Sequence, residues 1–169
     1  KIEFSENSSG ILNESILKGN ILHLSGVFLK REVALKYPFV ENRDLSGSED
    51  WLQWLLLSAN YDILGSKEIT SAYVLHGDNS MLLAKGENTF KRINLLKKYL
   101  EENVSFQNRY GSKMPLVSGS GDLLIALDFA LEKKKGKSLK LFVQSLSSDP
   151  SLIFSRRVLA VLKYLLLRW

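Results

Sequence analysis

A chain of 169 residues, 45% of them apolar, is long enough to bury one sizeable core. It contains no cysteine, which excludes disulfides, zinc–thiolate sites and a Cys nucleophile. The formal net charge of +5 is concentrated at one end: residues 131–169 carry nine Lys or Arg against Glu132 and Asp149, whereas residues 1–130 carry 14 basic and 16 acidic side chains. A groove of basic residues interleaved with aromatics is therefore not expected, and neither is a nucleic-acid partner. The chain opens on Lys1 and a polar run to Gly10 with no secretory signal, and it reads as the interior of a longer protein.

Residues 11–18 predict a short helix that ends at Gly19. The apolar run 21–29 predicts a buried strand, with Ser25 and Gly26 at its middle giving either a bulge or room for a ligand. His23 within that run reads as a hydrogen-bonded core residue ahead of a ligand. A short helix over 30–37 is stopped by Pro38, and a polar loop then leads to Ser46-Gly47-Ser48-Glu49-Asp50-Trp51.

There Trp51, Trp54, Leu55 and Ser58 recur at i, i+3, i+4 and i+7, which predicts a mostly buried helix. Ser46 followed by Glu49 fits a capping box, and acids in the first turn meet the positive end of the helix dipole for about 0.3–1 kcal/mol. Taken alone, Glu49 and Asp50 read as a cap.

Residues 61–65 and 69–76 predict two extended segments around a turn, followed by a polar covering loop that begins His76-Gly77-Asp78-Asn79-Ser80. Phe90, Ile93, Leu96 and Leu100 then form a helical stripe with Lys91, Arg92, Lys97 and Lys98 off it. Residues 103–121 lose periodicity. Pro115 and Ser118-Gly119-Ser120-Gly121 mark a connection there, dividing the chain into 1–103, 104–121 and a helical subdomain 122–169.

In that subdomain Asp122 caps a helix to Lys135, Leu139, Phe142, Val143 and Leu146 stripe the next, and Pro150 starts the last. On a helical wheel the last helix sets Val158, Leu159, Leu162, Leu165 and Leu166 opposite Arg156, Arg157, Lys163, Tyr164 and Arg168. It either packs its apolar side inward or lies on an anionic membrane surface, and it is too short to span one.

Three stretches in this order, Ser25-Gly26-Val27-Phe28-Leu29-Lys30-Arg31-Glu32, then Glu49-Asp50-Trp51-Leu52-Gln53-Trp54-Leu55, then Tyr73-Val74-Leu75-His76 through Ser80, resemble the C-terminal half of family-two, GT-A-fold glycosyltransferases. The resemblance covers roughly residues 11–100. It implies an α/β fold class, here an α+β piece with few short strands followed by the helical subdomain. It also implies an inverting transfer of sugar from a nucleotide-sugar donor to a glycan or lipid-linked acceptor hydroxyl, in bacterial-type polysaccharide or glycan synthesis.

Carried over residue by residue, Asp50 resembles the general base and Glu49 its companion. Ser25, Gly26, Trp54 and Ser80 fall at substrate-binding positions, although Trp54 also suits core packing. His76 matches a histidine that in some members helps hold a divalent metal, Mg or Mn. The family's frequent arginines near the Trp-Leu pair and before the His are Leu56 and Val74 here. No Asp-x-Asp occurs in the chain, so the main acidic ligands and the nucleotide-binding region are expected elsewhere in a longer, cytoplasmic enzyme at the inner face of the membrane, and this piece alone is expected to be inactive. The rival reading is a non-catalytic α+β interaction or membrane-surface module in which Glu49 and Asp50 only cap a helix.

Overall fold

Most apolar residues of this chain recur at helical spacing, and the computed structural model, which describes residues 8–72 and 85–166, is 70% helical. Eight α-helices are described: α1 (Asn13–Leu17), α2 (Arg31–Lys36), α3 (Glu49–Ser58), α4 (Gly86–Glu102), α5 (Val104–Tyr110), α6 (Met114–Leu131), α7 (Lys135–Ser148) and α8 (Arg156–Leu166). Two short strands, β1 (Ser8–Ile11) and β2 (Leu64–Ser66), pair antiparallel with Ile11 opposite Leu64. The α/β, GT-A-type fold class expected from the sequence is thus overturned: the described residues form a mostly helical protein with one two-stranded ribbon.

The reason is visible in the predicted strands. Residues 21–29 have strand-like composition, but they contain a 3-10 turn, Leu24–Gly26, and no strand among the described residues pairs with them. Ile21, Leu24 and Phe28 are exposed accordingly. A strand needs a hydrogen-bonded neighbour as well as β-forming residues. Residues 69–72 likewise have no regular structure, and residues 73–76 lie outside the described residues.

Helix α6 is the centre of the molecule, packed by α4, α7 and α8. Leu123, Ile125, Ala126 and Phe129 are almost wholly buried and join one core with Ile93, Leu96 and Leu100 of α4, Leu52, Trp54 and Leu55 of α3, and Val158 and Val161 of α8. Each fully buried Leu, Ile or Phe contributes about 1.5–3 kcal/mol. Val104–Leu131 is long and apolar enough to cross a membrane, but 61% of its most apolar window is buried inside the protein.

The expected connection over 103–121 is helical instead. Ser118 to Gly121 lie within α6, where a Cβ on Gly119 would meet Leu152 Cδ1 at 2.5 Å and one on Gly121 would meet Ile93 Cγ2 at 2.6 Å. Close approach of neighbouring elements offsets the ~1 kcal/mol that glycine costs a helix. Asp122, expected as a cap, is in mid-helix and buried, bonded by Lys97 Nζ at 2.6 Å and by Gln144 Nε2 at 3.2 Å.

At the other end of the core a buried asparagine does the joining. Asn13 Nδ2 donates to the carbonyls of Ser58 (3.0 Å) and Tyr61 (2.9 Å), while its Oδ1 accepts from Ile63 N (2.8 Å). It thereby holds α1 against the end of α3 and the approach to β2.

Removing one partner of a buried ion pair leaves the other without compensation, at about 3–5 kcal/mol. Asp122→Ala is expected to destabilise by about that much in urea unfolding, and the double variant Asp122→Ala, Lys97→Met by substantially less.

Candidate functional site

The two adjacent carboxylates at the start of α3 point to different tasks. The N-cap of α3 is Ser48, whose side chain makes no capping bond, so the Ser46–Glu49 capping box expected from the sequence is not formed. Glu49 instead folds back, its Oε2 accepting from Gly47 N at 2.5 Å and Ser48 N at 3.0 Å. Gly47 has φ +87°, a conformation in which L side chains are strained, and that lets the loop turn its amides toward Glu49.

Asp50 remains half-buried at the surface. Its Oδ1 accepts from Trp51 N at 2.7 Å and its Oδ2 from Asn20 Nδ2 at 2.8 Å. Trp51 is buried, and its Nε1 donates to Ile16 O at 2.9 Å, which locks the helix start against α1. Asn20 was not singled out in the sequence; its position just after the helix-ending Gly19 was the available signal.

Arg92 lies off the apolar stripe of α4 in the sequence pattern, yet it is 8% exposed. Its Nη1 would stand 3.1 Å from a Cβ on Gly47, directly beneath the carboxylate-bearing loop. Burial pushes its guanidinium below the ordinary arginine value, opposed by the fields of Asp128, Glu49 and Asp50. Arg157 of α8 sits in the same layer. Its Nη2 would come within 2.7 Å of a Cβ on Gly19, and Nη1 donates long bonds to Lys18 O (3.4 Å) and Ser120 O (3.5 Å). Burial lowers the Arg157 guanidinium too, against the field of Asp128. Two arginines from α4 and α8 therefore support the two segments that carry Asp50 and its partner Asn20.

The remaining expected residues fall elsewhere. Ser25 and Gly26 are exposed, and Ser25 Oγ bonds His23 Nδ1 at 2.9 Å and Ser71 Oγ at 3.4 Å, whereas Asp50 bonds Asn20 and Trp51. His23, expected in a core strand, is exposed. Trp54 is 1% exposed and meets Phe39 edge-on at 6.0 Å, so its ring has no face open to a sugar and serves the core. His76 and Ser80 lie outside the described residues. Among the described residues no three His, Asp or Glu side chains converge as a divalent ion requires; the acidic ligands of Mg or Mn are expected outside this chain.

Comparisons with protein-family models, with curated proteins and with solved structures find no match.

Asp128 gives this layer a pH dependence. Burial raises its carboxyl above the ordinary value, partly offset by the bond that Thr89 Oγ1 donates at 2.6 Å and by Arg92. With the folded-state pKa raised, the folded protein retains a proton that the unfolded chain has released. The contribution to stability is complete below the ordinary carboxylate pKa and is lost as pH rises through the raised value. Unfolding free energies of the wild type relative to Asp128→Asn, measured from pH 3 to 7, are expected to decline over the range above about 3.9, the ordinary aspartate value.

Proposed function

We propose that this chain forms the acceptor side of an inverting glycosyltransferase in which Asp50 is the general base. The reading is supported by one observation above the rest: of two neighbouring, half-buried carboxylates at a helix start, Glu49 folds back onto the amides of its own loop, whereas Asp50 is fixed from two sides, by its own helix at Trp51 N and by Asn20 from a distant segment. An ionised carboxylate offers about four lone-pair positions. Trp51 N and Asn20 Nδ2 take two, leaving capacity for an acceptor hydroxyl.

The acceptor oxygen attacks the anomeric carbon of the nucleotide sugar, and its proton passes to the Asp50 carboxylate. The bond from that carbon to the diphosphate oxygen breaks with inversion, and the nucleoside diphosphate leaves. A base in this position must be within hydrogen-bond reach of the hydroxyl and held against rotation. Asn20 and the α3 backbone supply that restraint.

Asp50→Asn, made in the full-length enzyme, keeps the size and the helix start while removing the base. It is expected to lower kcat by about 10²-fold or more with little change in thermal stability. Normal transfer combined with a modest loss of stability would return Asp50 to the role of a cap and favour a non-catalytic interaction module.

A further inference from the structure

We propose that α8 and the turn before it form a docking surface for the anionic headgroups of a lipid bilayer, engaged by the edge of the apolar side of the helix that the core leaves uncovered. Most of that apolar side is spent internally. Val158 and Val161 are 3% and 0% exposed, and Leu162 and Leu165 pack partly buried against the core. The remainder of that side is left outside. Leu159 and Leu166, seven residues apart and so on one face, are 69% and 76% exposed, and Phe154 in the preceding turn is 92% exposed.

Cations accompany this edge. Arg156 and Lys163 are exposed, and Lys163 lies one helical turn from both Leu159 and Leu166. Lys135 Nζ donates to Leu165 O at 2.9 Å, which brings the basic run Lys133-Lys134-Lys135 to the same end of the helix. The two acids of residues 131–169 are both engaged: Glu132 with Lys134 at 2.7 Å and Gly86 N at 2.6 Å, and Asp149 in capping Ser151 N at 2.9 Å.

The charge complementarity is therefore with an anionic surface. Leucines and a phenylalanine that reach just below the headgroups, with lysines and arginines among them, are what a helix lying in the interface plane presents. The proposal does not depend on the catalytic reading of Asp50.

Vesicle flotation of the complete chain tests it, using phosphatidylcholine alone and phosphatidylcholine mixed with phosphatidylglycerol. Two variants keep the core intact because every changed residue is exposed: Phe154→Ser with Leu159→Ser, and Arg156→Glu with Lys163→Glu. The wild type is expected to float only with the mixed vesicles, and each variant to bind them at least tenfold more weakly while keeping its circular dichroism and sedimentation mass. Absence of wild-type binding, equal binding to neutral vesicles, or unchanged binding in either variant overturns the proposal. A wild-type dimer that the variants dissociate would make a second copy the occupant and overturns it as well.

Discussion

Everything in this fold depends on α6 being covered on several sides at once. A helix of this apolar character is stable in water only when its neighbours exclude solvent from it, and α4, α7 and α8 do so, with Leu152 and Ser145 closing on Gly119 and Ile93 on Gly121. A buried ion pair on that helix, Lys97 with Asp122, sits where α4 crosses it and is completed by Gln144 from α7. Such a pair adds little net free energy compared with apolar residues of the same size. It ties three helices together: Asp122 of α6 accepts from Lys97 of α4 and from Gln144 of α7.

That arrangement is transmitted to the surface through a second, partly buried charged layer. Arg92 projects from α4 to the underside of Gly47, Arg157 from α8 to the back of Gly19, and Asp128 of α6 lies in the field of both. The helix start bearing Asp50 and the segment bearing Asn20 are therefore positioned by helices distant in sequence. Burial costs these arginines part of their ordinary basicity, so the layer balances desolvation against the opposing carboxylates and is not a set of strong, fully paired bridges. A rigid platform beneath a half-exposed carboxylate is what a general base needs, and it links the helical core to the proposed chemistry.

Several elements were legible because their signals are local. The stripe of Trp51, Trp54 and Leu55 gave α3, that of Ile93, Leu96 and Leu100 gave α4, and Pro38 bounded α2. The prominence of Asp50 and Glu49 was also legible, since two acids before an apolar helix are conspicuous. Their division of labour was not. It depends on Gly47 turning its amide toward Glu49 and on Asn20 reaching Asp50 from thirty residues away. The failures have a common cause: a buried strand was inferred at 21–29 from composition without a partner strand to pair with it, and a linker at 103–121 from glycines and serines that in fact mark a close helix crossing.

By itself the sequence determined where the chain becomes helical, where its charge lies and which acids stand at a helix start, because periodicity, composition and capping act over a few residues. Only the tertiary structure decided that the fold is mostly helical, that Arg92 and Arg157 turn inward, that Trp54 belongs to the core and that the apolar side of α8 is covered only in part, leaving Leu159 and Leu166 exposed. Those outcomes rest on which surfaces meet, and a residue's burial is set by neighbours that its own stretch of sequence does not contain.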